Sequence, residues 1–419
     1  VTHYLSENDG DINTDSLQSE SYGITFNVSC IGDSYIVNGD YATGTYIGDR
    51  FNEFMDNIKE ELRFIAGYKF DNIVCCLSES QLGVYLDEQV HNKGTAYSVP
   101  GIFECGGKYT VEEVKDAICS LIDKHPILKG RILDNFDLPL LVCDSYPEIE
   151  LVDDVADYSE LIRPFDFGKC LARFFIMNND ESITVGYDMH HMISDATSRA
   201  IINRELEWAL NDDLDDGVDL GFVYASRDSF ESRFKSTYDS AYKFYNQEFS
   251  RIDEVHSLLE DIDGCEGGVS LPIRGIREDV ESFVRDNGIT ISSFLNSVFA
   301  YTYSRFTGSS KVYYTFTENG RHENYSQDAI GMFVRTIPVI VDCSDKSTKD
   351  YLSNASDLIL ESMSNSVYPF RLLAHEFDLS NDITFEYNYD LNDVSDISDD
   401  IIFSDRADRV SKLLCVVND

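Results

Sequence analysis

The chain has 419 residues, 43% of them hydrophobic, which is ample for buried cores in two or three domain-sized units. Its net charge of −43, from 76 acidic and 33 basic residues, excludes phosphate backbones and anionic membrane surfaces as partners. The 25 Tyr and 26 Phe supply too much burial for a disordered chain.

Residues 1–20 are polar and acidic, and are expected to be loose. Tyr22–Val28 and Ser34–Asp40 read as two strands about a turn at Gly32-Asp33. Ile47–Ala66 reads as a helix, with Phe51, Phe54, Met55, Ile58, Leu62 and Ile65 on one stripe. Thr110-x-x-Glu113 is a capping box opening a second helix, with Val111, Val114, Ala117, Ile118, Leu121 and Ile122 inward. Ile183, Val185, Tyr187 and Met189 alternate with polar or small residues, the mark of a half-buried strand. A helix carrying Ile202, Leu206 and Ala209 follows it. Residues 211–219 form an acidic surface loop, and Ser229–Phe249 reads as one long aromatic-striped helix. Gly264–Gly268 is a candidate linker. Beyond it, Thr290–Phe306 and Thr348–Ser364 read as helices, and Val312–Thr317 and Thr336–Val341 as strands. The mixture without repeats predicts an α+β architecture in two lobes.

The ten cysteines contain no C-x-x-C pair, so neither a disulfide framework nor a zinc site is expected, and a reducing cytoplasm is the expected location. Val1-Thr2-His3-Tyr4 does not open a signal peptide, and no run approaches the roughly 18 apolar residues of a membrane span. The missing initiator Met predicts a piece of a longer protein. His91, His125, His256, His322 and His375 stand alone and read as surface or packing residues.

The informative stretch is Tyr187-Asp188-Met189-His190-His191-Met192-Ile193-Ser194-Asp195-Ala196-Thr197-Ser198. A strand ends in two histidines, a short turn follows, and an Asp opens a helix. By parity with Val185, Tyr187 and Met189, His191 is expected to point inward and His190 to the other face. A neutral imidazole near pH 7 can accept the proton that an attacking amine must lose, or can hydrogen-bond a tetrahedral intermediate. The bare H-H-x-x-x-D pattern also fits a strand-end histidine pair with a helix-capping Asp and no chemistry. A metal pair of His191 and Asp195 lacks the further ligands it needs.

This stretch resembles M-H-H-x-x-x-D-G-x-S, the signature of condensation domains of nonribosomal peptide synthetases, in the chloramphenicol-acetyltransferase-like superfamily. Five further segments resemble that family's motifs in its order. Leu77–Tyr85 is similar to the opening S-x-A-Q motif, and Lys124–Arg131 to R-H-E-x-L-R-T. Pro164-Phe165-Asp166-Phe167 with Leu171-Ala172-Arg173 is similar to P-F-D…P-L-x-R. Gly320-Arg321 and Ile330–Thr336 are similar to G-R…I-G-x-F-V-N-T, and Tyr368-Pro369-Phe370 to P-F-E.

The resemblance implies two chloramphenicol-acetyltransferase-like lobes in a V, with a tunnel between them. Residues 76–250 would form the N-terminal lobe and 251–419 a C-terminal lobe lacking its last strands and helix. Residues 1–75 would be the tail of an upstream condensation-like domain, completing the C-terminal lobe in one molecule or by exchange in a dimer. The implied reaction is amide-bond formation between a donor and an acceptor carried on 4'-phosphopantetheine, with no directly bound cofactor and no metal. The implied partners are upstream and downstream peptidyl carrier domains and an adenylation domain. The candidate catalytic set is His191, His190 and Asp195, with His191 as base or positioner and His190 mainly structural. Asp195 would pair with Arg321, or else Arg335, and Ala196 and Ser198 would line the tunnel. Two departures stand out: Ala196 replaces the motif's Gly, and Arg335 replaces the usual Asn. Alternatives are epimerization of a carrier-bound aminoacyl group, ester formation, and a catalytically inactive docking platform. The plant-type alcohol acyltransferase motif D-F-G-W-G is absent.

Overall fold

The structure, a computed structural model, describes residues 24–31, 34–41 and 72–418, apart from 251–267, 389–412 and short stretches at 92–93, 107, 135–137, 153–157, 180–181 and 345–346. The expected loose start, the 47–66 helix and most of the Gly-rich patch lie outside the described residues. The chain divides into two compact units, Val1–Asp71 and Asn72–Asp419. In the first, Ile24–Ile31 (β1) and Ser34–Tyr41 (β2) pair antiparallel, Ile24 opposite Tyr41.

The second unit opens with Ile73–Cys76 (β3), helix Glu79–His91 (α1), Ser98–Gly106 (β4) and helix Val111–Lys124 (α2). Thr110 caps α2 reciprocally with Glu113, satisfying amides that a helix start leaves without partners. Strands Gly130–Leu133 (β5), Leu140–Cys143 (β6), Glu148–Val152 (β7), Ala172–Asn179 (β8) and Ser182–His190 (β9) follow, then helix Ala196–Leu210 (α3). They make a three-stranded sheet, β3-β6-β5, and a four-stranded sheet, β4-β9-β8-β7. Ile118, Leu121 and Ile122 of α2, Phe174 of β8, Val185 and Tyr187 of β9 and Ile202 of α3 share one core and are fully buried or nearly so. Each such side chain contributes about 1.5–3 kcal/mol.

The sequence predicted one helix over 229–249; the structure has two, Gly221–Ser232 (α4) and Ser236–Phe249 (α5). The amides of Phe234 and Lys235 turn back onto the carbonyls of Glu231 and Ser232, and Lys235 is extended. The aromatic stripe keeps its period across this break, so periodicity could not reveal it.

Helices Arg277–Asn287 (α6) and Ile291–Thr307 (α7) lead to a second four-stranded sheet. Its strands are Lys311–Glu318 (β10), Arg335–Asp342 (β11), Ile383–Asn388 (β12) and Leu413–Asn418 (β13), in the order β11-β10-β12-β13. Between β11 and β12 lie helices Thr348–Ser364 (α8) and Phe370–Phe377 (α9). Tyr314, Phe316, Ile337, Val339, Ile359 and Phe385 form a second core. Among the described residues no helix is long and apolar enough to cross a membrane. The elements are α+β, as the sequence pattern predicts.

Candidate functional site

Strand β9 lies between β4 and β8, so both its edges are paired, and every residue from Val185 to His190 is buried. The strand stops at His190, and His191–Ile193 turns as a short 3-10 helix. Strand alternation therefore does not extend to His191. His190 is buried and His191 only half-buried, the reverse of the parity expectation.

The His190 ring is fully engaged. Its Nδ1 accepts the Met192 amide at 3.1 Å, which leaves Nε2–H to donate to Glu88 Oε2 at 2.7 Å. Phe165 and Phe167 meet the ring edge-on, 5.7 and 5.3 Å between centroids. Burial holds the His190 pKa below its ordinary value, partly opposed by Glu88. A neutral ring with both nitrogens occupied braces the turn.

His191 is held differently. Its amide donates to the Tyr97 carbonyl at 2.7 Å, and its Nδ1 lies 2.8 Å from the Ser194 carbonyl. A carbonyl can only accept, so Nδ1 carries the proton and the neutral ring keeps its lone pair on Nε2. Among the described residues Nε2 has no hydrogen bond. The turn is pinned from α1, where Gln81 Nε2 donates to the Met192 carbonyl at 2.6 Å.

Asp195 caps α3 reciprocally with Ser198. Its Oδ1 accepts the Ser198 amide and hydroxyl, both at 2.8 Å, and Arg321 Nη2 at 2.7 Å. Its Oδ2 accepts the Phe333 amide at 3.1 Å. Arg321 also donates to the carbonyls of Ser326 and Ala329 and lies against the Phe333 ring, 4.3 Å from its centroid. Both oxygens of the buried Asp195 carboxylate are thus hydrogen-bonded, and its charge is paired. Arg335, the other candidate, donates to Ser366 Oγ instead. Asp195 is committed to this cluster, and among the described residues no three His, Cys, Asp or Glu side chains are placed to hold a metal.

Ala196 is exposed at the start of α3. Ser198 has no exposed surface, and its hydroxyl also takes the Gly331 amide at 3.1 Å. It fastens Gly331 to Asp195 and does not line an open passage.

Two residues after β10, the chain favours glycine at position 320. Gly320 has φ of +65°, and a Cβ there would overlap the Phe333 carbonyl oxygen. Gly320→Ala is expected to lose about 1–2 kcal/mol from the left-handed backbone alone. Urea denaturation measures this; an unchanged midpoint would show that the turn tolerates a side chain.

Sequence reasoning missed several supporting groups. Glu88 and Ser194 orient the two rings. Arg173 pairs with Asp188, and burial holds its pKa below the ordinary value. His125 is fully buried between Asp219 at 2.8 Å and Glu205 at 2.6 Å, and Asp219 also accepts the Ile330 amide. A buried histidine is a packing residue as expected, but its two carboxylates could not be read from an isolated His.

Burial alone would depress the His125 pKa, yet Asp219 and Glu205 outweigh it and raise it. The stabilisation from its proton is complete below the unfolded value of about 6.5 and disappears as pH rises through the folded value. The stability difference between wild type and His125→Gln is therefore expected to shrink as pH rises above neutrality. Melting curves across that window test it; a difference independent of pH would refute the charged pairing.

Residues 72–407 match the family model described as Condensation domain. The chain is 25% identical over 329 residues to surfactin synthase subunit 1 of Bacillus subtilis (strain 168), covering 74% of this chain and 9% of that one. It is 23% identical over 333 residues to bacitracin synthase 3 of Bacillus licheniformis, covering 74% and 5%. The chain thus spans less than a tenth of these relatives' length. In fold it resembles the first condensation domain of the calcium-dependent antibiotic synthetase bound to a substrate analogue, with a TM-score of 0.62 and 15% identity, covering 76% of this chain and 80% of that one. It also resembles holo-AB3403, a four-domain nonribosomal peptide synthetase bound to AMP and glycine, with a TM-score of 0.65 and 16% identity, covering 77% and 27%. A match over most of the chain, ending well beyond the histidine turn and its Arg321 partner, shows that this protein belongs to the condensation domain family.

Proposed function

We propose that this chain joins a carrier-bound acyl or aminoacyl donor to a carrier-bound aminoacyl acceptor through an amide bond. The observation that carries this reading is His191. Its Nδ1–H is tied to the Ser194 carbonyl, its Nε2 has no hydrogen bond among the described residues, and the turn beneath it is fixed by Gln81 and by the Asp195–Arg321 pair. The acceptor amine attacks the donor thioester carbon; a C–N bond forms and the C–S bond breaks. The amine's proton passes to His191 Nε2 and on to the departing thiolate. General-base help of this kind is worth roughly 100- to 10,000-fold, and positioning of the amine adds to it.

In this reading His190 and Asp195 are structural, and the two hydrophobic cores are two lobes in a V about a tunnel that the phosphopantetheine arms enter from opposite faces. Ala196 is its candidate wall residue. Carrier and adenylation domains are the neighbours such a domain would serve, in the cytoplasm.

The test incubates the 419-residue chain with donor- and acceptor-loaded carrier proteins and follows intact mass. A condensed product on the acceptor carrier supports amide formation. Uptake of solvent deuterium at the α-carbon without condensation would replace it with epimerization.

A further inference from the structure

At one end of the second core lies a cavity of about 390 Å³ whose polar groups the chemistry above does not use. Glu318 follows the parity of Tyr314 and Phe316 along β10, and Arg335 that of Ile337 and Val339 along β11, so both lie on the face that carries this core. They stand directly opposite each other in the ladder, and both line the cavity. Opposite charges so placed ordinarily attract and pair. Here, among the described residues, no ion pair joins them. Arg335 Nη1 donates to Ser366 Oγ at 3.0 Å, and Glu318 meets the Nε2 of His322, whose ring is exposed. An imidazole is a cation only when protonated. The Glu318 side chain is 3% exposed, yet neither of its oxygens has a hydrogen bond among the described residues. A carboxylate so deeply buried needs a donor. Leu360 and Met363 from the end of α8, with Val367 beyond it, supply an apolar wall.

We propose that this cavity binds a free α-amino acid with an aliphatic side chain. Its ammonium donates to the Glu318 carboxylate, its carboxylate accepts from the Arg335 guanidinium, and its side chain lies against Leu360, Met363 and Val367. Two opposite charges that face one space without neutralising each other select this class. An amine satisfies only Glu318 and a carboxylic acid only Arg335; a zwitterion satisfies both. The guanidinium keeps further N–H donors after its bond to Ser366, in a planar fork suited to a carboxylate. The volume falls in the range of small-molecule pockets, about 300–1,000 Å³. A carrier-bound aminoacyl thioester has no free carboxylate, so the occupant is the unloaded amino acid and not a substrate of condensation. Nothing in this site rests on the amide-forming reading.

The experiment titrates the 419-residue chain with leucine by calorimetry and follows the methionine methyl groups by NMR. Saturable binding is expected, with a shift of the Met363 methyl. Isoamylamine, which lacks leucine's carboxylate, and isocaproate, which lacks its ammonium, are each expected to bind the wild type at least about 10-fold more weakly. Glu318→Gln and Arg335→Gln are each expected to weaken leucine binding about 10- to 100-fold. The analogue series uses only the wild type, so it decides the matter even where a variant fails to fold. No saturable heat from millimolar leucine, together with an unmoved Met363 methyl, overturns the proposal. Isoamylamine or isocaproate binding as tightly as leucine also overturns it, because the cavity would then serve a single charge. Leucine affinity unchanged in both folded variants would place the binding elsewhere and overturn it as well.

Discussion

His191→Ala is expected to slow amide formation by about 100- to 10,000-fold while leaving the protein folded. The ring is half-buried and among the described residues makes one side-chain hydrogen bond, to the Ser194 carbonyl, so its removal is expected to cost about 0.5–1.5 kcal/mol of stability. His190→Ala is the informative contrast. It empties a buried site between Phe165 and Phe167 and leaves Glu88 without its donor, so its loss of activity comes with a lowered melting temperature. The two variants therefore separate chemistry from architecture within one dipeptide. Intact-mass assays of product and thermal melts of the same samples decide it. If His191→Ala condensed substrates at the wild-type rate, the assignment of His191 as the base would be wrong, and positioning by other groups would carry the reaction.

The largest effect on stability is expected from Arg321→Ala. The ion pair is buried on both sides, 4% and 6% exposed, so truncating the arginine strands a carboxylate where water cannot reach it. Removing one partner of such a pair costs about 3–5 kcal/mol. Replacing both, as in Asp195→Leu with Arg321→Met, is expected to recover part of that loss, because the desolvation penalty goes with the charges. A double-mutant cycle by urea denaturation measures the coupling. Additive single-variant effects would show that the pair contributes little beyond its separate hydrogen bonds.

What could be read from the sequence divides by range. Helix α2 was readable to its cap, because Thr110 and Glu113 are three residues apart and the apolar stripe is local. Helices α7 and α8 and strands β10 and β11 were readable for the same reason. The histidine parity failed because it assumed that β9 continues, whereas the strand stops one residue earlier. The break between α4 and α5 failed because a stripe reports which face is apolar, not whether the backbone is continuous. In the site, the resemblance drew attention to the segments that now touch. Gln81 pins the turn, Phe165 and Phe167 flank His190, and Gly331 bonds Ser198. The resemblance implied an arginine for Asp195, Arg321 first and Arg335 second, and in the fold Arg321 meets the carboxylate while Arg335 donates to Ser366. Glu88 carries no local pattern, since its bond to His190 exists only once helix α1 has packed against the end of β9.

The hydrogen bonds about Asp195 also set terms for exchanging parts of this domain with a relative. The carboxylate, the Ser198 hydroxyl, the Arg321 guanidinium and the amides of Gly331 and Phe333 form one unit drawn from both halves of the sequence. A chimera joined between α3 and β10 inherits the carboxylate and hydroxyl from one parent and the guanidinium and amides from the other. It folds to a working geometry only if both parents place these groups alike. Recombination is therefore safest when residues 195–198 travel together with 320–333, and a crossover that ignores this linkage imports a misfit directly beneath the histidine turn.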